Sequence, residues 1–132
     1  MPTPLSQFPS LRLFGTIIGT ICIAFGINAI LRPSSALSFF EFDYPTTLAE
    51  KTLIDNMLII YGARDVLMGL AAYITAYYDG RALGWTLLAI SGVAYVDGFV
   101  CWRNGGGEWN HWGYAPVVSV AGVGLLGCFD GR

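Results

Sequence analysis

The chain has 132 residues, a one-domain length, of which 55% are hydrophobic and 12% charged, about half the charged share of a soluble domain. Seven Lys and Arg against nine Asp and Glu give a net charge of −2, which excludes a basic nucleic-acid-binding surface, and the apolar content excludes intrinsic disorder. Three Cys without a CxxC pair and a single His argue against a disulfide scaffold and a zinc module, so the composition is that of a small integral membrane protein.

Residues 13–31 carry no ionisable side chain except Cys22 and are bracketed by Arg12 and Arg32. That run is close to the ~20 residues needed to cross about 30 Å of hydrocarbon. It is too long for a secretory h-region, and no clean small-x-small site follows, so a retained span is expected. Pro33-Ser34-Ser35 predicts a helix start with Ser34 or Ser35 as cap. Ala36-Leu37-Ser38-Phe39-Phe40 is then a short apolar turn lying in the interface. Tyr44-Pro45 breaks it, and Thr47-Leu48-Ala49-Glu50 is a capping box. A helix is predicted from about Thr46 directly into a second span over 57–78.

Asp79-Gly80-Arg81 predicts a tight reversal, both Asp and Gly tolerating positive φ. Spans 57–78 and 82–102 then form an antiparallel hairpin. Arg103-Asn104 and glycines 105–107 predict a flexible loop. The fourth span is expected over 112–129, with Pro116 in its first turns, where proline is tolerated. The expected fold is one all-α domain over 1–132: a four-helix transmembrane bundle with a short interfacial helical segment between spans one and two. Both termini and the 79–81 turn lie on one face. Residues 32–56 and 103–111 lie on the other. Three basic residues flank the spans on each side, so the positive-inside rule gives no orientation. Tyr73, Tyr77, Tyr78 and Trp85 mark one boundary, and Trp102, Trp109, Trp112 and Tyr114 the other, as interfacial anchors do. Gly15-x-x-x-Gly19, Gly122, Gly124 and Gly127 allow close helix contact.

Polar residues converge near the second face. At 1.5 Å per residue, Asn28 lies roughly 4–5 Å inside its span, Asp97 roughly 7 Å and Arg64 roughly 10 Å. Glu108 and His111 sit just above. A central Arg or Asp costs about 2.5–3.5 kcal/mol to insert, so such residues face the bundle interior and pair. Neighbours on a helix point about 100° apart, so Arg64 and Asp65 are expected to pair poorly with each other. Arg64 is expected to pair with Asp97, leaving Asp65 to face Asn28 or the loop. Interhelical polar contacts return only about 0.6 kcal/mol on average, less than insertion costs, so a pocket is favoured over structural glue.

In that pocket Asp97 is the candidate general acid or base and Arg64 the group that holds a carbonyl or enolate oxygen. His111 or Glu108 relays a proton. Asn28, Tyr61, Asp65, Trp102 and Trp112 are the candidate substrate contacts. Trp102, Trp109, Trp112 and the Phe39-Phe40 segment form an aromatic roof suited to a polyene or a carbocation. His111 has a second reading, as a boundary residue capping span four. Glu108-Trp109-Asn110-His111 has the E-x-x-H spacing of di-iron bundles, but a single His and one such motif fall short of the ligand count. Neither a metal nor a cofactor is expected.

Tyr61-Gly62-Ala63-Arg64-Asp65 early in span two, Asp97-Gly98 late in span three, and Gly105-Gly106-Gly107 with His111-Trp112 before span four carry a resemblance. The chain resembles, from about Phe14 to Gly127, a fungal family of small four-span membrane proteins classed as a domain of unknown function. The resemblance brings no list of catalytic residues. It implies a setting in natural-product gene clusters, where some members resemble helpers or cyclases for lipophilic intermediates. Anthrone oxygenase-like proteins share the four-span plan, but this chain lacks a His-rich or cofactor-binding pattern.

The expected function is a membrane enzyme, or essential enzyme subunit, acting on a lipophilic intermediate by cofactor-free cyclisation or isomerisation. Alternatives are a non-catalytic scaffold for a biosynthetic partner enzyme, and a small transporter, although span one offers only Asn28 where small exporters carry a carboxylate. The expected partners are the bilayer, a lipophilic small molecule and that enzyme. The endoplasmic reticulum is the expected location.

Overall fold

The computed structural model describes residues 4–131. After a 3-10 turn at Leu5–Gln7 the chain forms α1 (Pro9–Leu31), α2 (Pro33–Phe39), α3 (Leu48–Tyr78), α4 (Gly80–Arg103), α5 (Trp109–Trp112) and α6 (Ala115–Leu125). The described residues are all-helical, with no strand. Three helices, α1, α3 and α4, are long and apolar enough to cross a membrane. Their outer surfaces are covered with exposed Leu, Ile, Val and aromatic side chains, among them Leu13, Ile17, Leu67, Ile74 and Val96. Such continuous apolar surface is unfavourable in water and matched to lipid.

The start of α3 follows its sequence signal. Thr47 Oγ1 accepts from the Glu50 amide at 3.4 Å, the first half of a capping box, and donates to the Glu50 carboxylate at 2.5 Å, which therefore bonds the cap's hydroxyl and not its backbone N–H. At 31 residues α3 is about 46 Å long. It therefore outreaches a bilayer core of about 30 Å. Its first turn, with Leu48 and Glu50 exposed, projects ahead of Ile54, which packs by α2, and Asp55, which takes a hydrogen bond from the Tyr44 hydroxyl.

Several local expectations are corrected. The reversal between α3 and α4 uses no positive φ. Asp79 is extended (φ −150°), caps α4 by accepting from the Arg81 amide at 2.9 Å, and Gly80 is already helical. Neither Ser34 nor Ser35 caps α2. Arg32 holds that position, and Pro33 starts the helix without a side-chain cap. The loop after α4 is anchored: Asn110 donates to the Phe39 carbonyl at 2.9 Å, and Gly107, at φ +88°, packs on the Phe40 carbonyl. The helix expected over 112–129 is shorter, with 11 residues at Ala115–Leu125, about 16 Å. Gly127, at φ +83°, ends it. Its amide donates to Gly124 O (3.0 Å) and that of Cys128 to Val123 O (3.4 Å), the paired bonds of a Schellman stop.

Glycines set the helix pairs. A Cβ on Gly62 would strike the Gly26 carbonyl, and one on Gly69 the Gly19 carbonyl, so α1 and α3 meet backbone to backbone at two points. Both pairs are seven residues apart on each helix, the repeat of a left-handed crossing. On α4 and α6, Cβ atoms at Gly84 and Gly122 would lie 2.8 and 2.9 Å from the opposite carbonyl oxygens. Gly15, grouped with Gly19 by the sequence, instead makes room for Leu83 of α4. One apolar core joins Ile18, Ala72, Leu83, Leu87, Ile90, Val118, Ala121 and Leu125. A smaller one under α2 joins Ala29, Ala36, Leu37 and Leu58. Between them lies the polar layer.

Candidate functional site

The layer is built on the α3–α4 hairpin. Arg64 reaches across to Asp97, with Nη2 at 3.0 Å from Oδ2 and Nη1 at 3.4 Å from Oδ1. The same guanidinium donates through Nε to Asp65 Oδ1 at 3.2 Å, with Nη2 at 3.1 Å. The sequence expectation that Arg64 and Asp65 pair poorly is therefore wrong. The angle between successive Cα–Cβ bonds is as expected, but the long Arg side chain swings sideways and brings its head back over its neighbour. The Tyr61 ring, one turn earlier, lies 4.4 Å from the guanidinium carbon, a cation–π distance. Asp65 is 5% exposed. One buried carboxylate, Asp65, and one half-buried carboxylate, Asp97, thus share one cation.

Beneath them is a cavity of about 200 Å³. Asp65, Asp97, Tyr61, Tyr114, Phe25 and Phe39 line its polar end, and Ile18, Ile21, Cys22, Met68, Ile90, Val93 and Ala94 complete the wall. Arg64 is not in the lining. It bonds both carboxylates from outside the lining, its side chain 37% exposed, so the expected contact with a substrate oxygen has no place in this cavity. Ile21, Phe25 and Tyr114 are also exposed on the outer surface, so they form the rim of the cavity. Ile21 stands ten residues from the end of α1, about 15 Å along the axis, and the rim therefore opens on the flank of the bundle.

The other expected site residues divide. His111 is buried, 1% exposed, with neither ring nitrogen hydrogen-bonded among the described residues. It packs edge-on against Phe39 (5.1 Å between ring centres) and tilted on Phe40 (4.8 Å). Burial holds its pKa below the ordinary histidine value; Asp97 opposes that shift and Arg64 adds to it. His111 stands behind Phe39, outside the cavity, and it does not cap α6, which follows Tyr114. Glu108 has no hydrogen bond or ion pair to the Arg64 cluster among the described residues.

Asn28 is not part of the layer. Its Nδ2 lies 3.4 Å from Ser35 Oγ, tying α1 to α2. Trp102 is 57% exposed beside Phe99, and Trp109 is 72% exposed, so neither roofs the site. Both rings point off the bundle, as interfacial anchors do. Trp112 packs over Gly98, and its indole donates to the Tyr95 carbonyl at 3.1 Å. It braces α4 and does not line the cavity. Of the expected aromatic roof, Phe39 reaches the cavity and Phe40 backs it through Tyr61 at 5.3 Å.

Cys22, Phe25, Met68, Ala94 and Tyr114 were not among the expected site residues. A signal was present for most of them. Ile18, Cys22 and Phe25 on α1, Tyr61, Asp65 and Met68 on α3, and Ile90, Ala94 and Asp97 on α4 each follow i, i+4, i+7 spacing, one face of a helix. Extending that spacing outward from Asp65 and Asp97 finds two of the three walls.

No curated protein and no solved structure matches the chain. Residues 19–125 match the family described as Domain of unknown function (DUF4267), and since that match spans most of the chain, the protein belongs to this family.

Proposed function

We propose that this chain is a four-span membrane protein that acts on a lipophilic intermediate by acid–base chemistry, as an enzyme or an essential enzyme subunit. The observation that carries the reading is the cavity with two carboxylates at one end and apolar walls below. Buried charge at membrane depth is costly and marks function more often than packing. The fourth span of this reading is residues 112–129, where α6 and the turn residues after it make a partly irregular crossing beside α4. Non-helical backbone at membrane depth is tolerated where protein covers it.

Asp97 takes a proton from the substrate and returns it at another position, with Asp65 as its partner carboxylate and Arg64 fixing both. Such an isomerisation or ring closure moves one proton out and one back and needs no oxidant. The resemblance to natural-product cluster proteins supports a setting in fungal secondary metabolism at the endoplasmic reticulum. Deleting the gene and restoring it as wild type or Asp97→Asn tests this. Asp97→Asn should behave like the deletion, with one lipophilic compound lost and a precursor accumulating at normal protein level. A full wild-type profile from that variant would refute the catalytic role.

A second reading rests on the projecting start of α3, where Leu48 and Leu53 are exposed beside Glu50. As a docking surface for a partner enzyme, it predicts that Leu53→Asp loses the product while Asp97→Asn does not.

A further inference from the structure

We infer that the cavity selects an amphiphilic cation, a ligand with one positively charged amine head and an apolar chain. This deepens the proposed function and rests on reading the cavity as a substrate site. Three observations carry it.

The first is charge. Asp65 and Asp97 both line the cavity, while the one cation that contacts them among the described residues, Arg64, stands outside it. Two carboxylates against one guanidinium leave one negative charge over, and no Lys or Arg is in the lining. A carboxylate buried without a cation of its own either takes up a proton or pairs with an incoming cation, so the site favours a ligand that brings one positive charge. A neutral ligand leaves the imbalance, and an anion worsens it.

The second is the chemistry of the walls at the charged end. Phe25, Phe39, Tyr61 and Tyr114 line the cavity there. Aromatic faces attract cations, most strongly where water is excluded. The third is the gradient along the cavity. On α4 the lining runs from Asp97 to Ile90, seven residues or about 10 Å, and below Asp97 it is apolar. A charged head at Asp97 places its chain along Ala94 and Ile90. The exposed rim at Ile21 and Phe25 lets such a molecule enter sideways, its chain never leaving an apolar medium.

Octylamine, octanol and octanoate test this as probes of one chain length and three charges. Binding is measured by calorimetry on the full chain in maltoside micelles, with Asp97→Asn, Asp65→Asn and Ala94→Trp alongside. The expected result is that octylamine binds about tenfold or more tightly than octanol, the scale of a charge contact at interior dielectric, with octanoate weakest. Either Asp→Asn variant should bring octylamine down to octanol, so the test survives if one of them does not fold. Ala94→Trp, which fills the cavity, should abolish binding of both. Equal binding of octylamine and octanol, both lost in Ala94→Trp, overturns the charge selectivity and leaves the cavity reading intact. No binding by any probe, or binding unchanged in Ala94→Trp, overturns both.

Discussion

His111 shows how much a single side chain can determine. It is enclosed by Phe39 and Phe40 with no partner for either nitrogen among the described residues, and a buried polar group without a hydrogen bond costs about 1–3 kcal/mol. Burial favours its neutral form, so its pKa in the fold lies below that of the unfolded chain. Between the two values the unfolded chain binds more protons, and stability rises with pH through that window. The contribution is complete above about pH 6.5, the ordinary histidine value, and is lost as pH falls below it. Thermal unfolding of the solubilised protein should therefore show a falling midpoint from pH 7 to pH 5. His111→Leu should flatten that slope and match or exceed wild-type stability at pH 7. A variant less stable than wild type at pH 7 would mean that the imidazole makes a polar contact.

Arg64 acts on the same scale. It makes three hydrogen bonds to two carboxylates on two helices, and its planar fork suits that task in a way a lysine ammonium does not. Its pairing with Asp97 follows from depth along the spans. Its pairing with Asp65 follows from side-chain reach, which angular spacing alone does not convey.

Among the elements, the glycine contacts decide how close the helices come. Gly62→Ala places a methyl group against the Gly26 carbonyl and Ile30, and overpacking of that kind costs about 1–3 kcal/mol. Gly92 is the control. It lies inside α4 with open space where its Cβ would be, so Gly92→Ala should gain up to about 1 kcal/mol of helix propensity. Unfolding midpoints should move in opposite directions for the two variants. Midpoints that move together would show that backbone contact does not hold α1 to α3.

These elements also show what the sequence made legible. The three long helices, the α3 cap at Thr47 and the α3–α4 hairpin are local or periodic features, and they are readable because they depend on neighbouring residues. Gly26, Gly62 and Gly69 owe their role to a partner helix. The sequence marks Gly15 and Gly19 as a pair, yet the two face different neighbours. Trp102 and Trp112 look equivalent by depth and differ by rotation, one exposed and one laid over Gly98. Depth was legible in the candidate site and helix rotation was not, which is why Asn28 and Trp102 were expected in it and Cys22 and Met68 were not. The Schellman stop at Gly127 was written in the sequence as a glycine, but its position gave no sign of which carbonyls it would satisfy.

For the whole molecule, the membrane reading turns exposed apolar surface into a measurable boundary. Leu48 and Leu67 are both highly exposed on α3, one in the projecting start and the other well inside the span. In a Cys128→Ser background, which removes the exposed native thiol, Leu48→Cys should react with a membrane-impermeant maleimide in unsealed membranes that expose both faces. Leu67→Cys should stay unlabelled until detergent is added. Equal labelling of both before detergent would place the α3 surface in water. Under the proposed reading the same boundary bears on the site: its rim opens on the flank of the bundle, so a lipophilic ligand would reach it from the bilayer.

The shortness of α6 has a mechanical consequence. It rises about 16 Å beside an α4 of about 36 Å, so the apolar girdle of the protein is uneven around its circumference. Lipids next to α6 must compress or tilt to keep their tails against apolar surface, and each ångström of such mismatch costs a fraction of a kcal/mol. That deformation is smallest in a thin bilayer. In the proposed four-span bundle the Gly127 stop would thereby couple the protein's preferred surroundings to membrane thickness and favour thin membranes over the thick, sterol-rich ones.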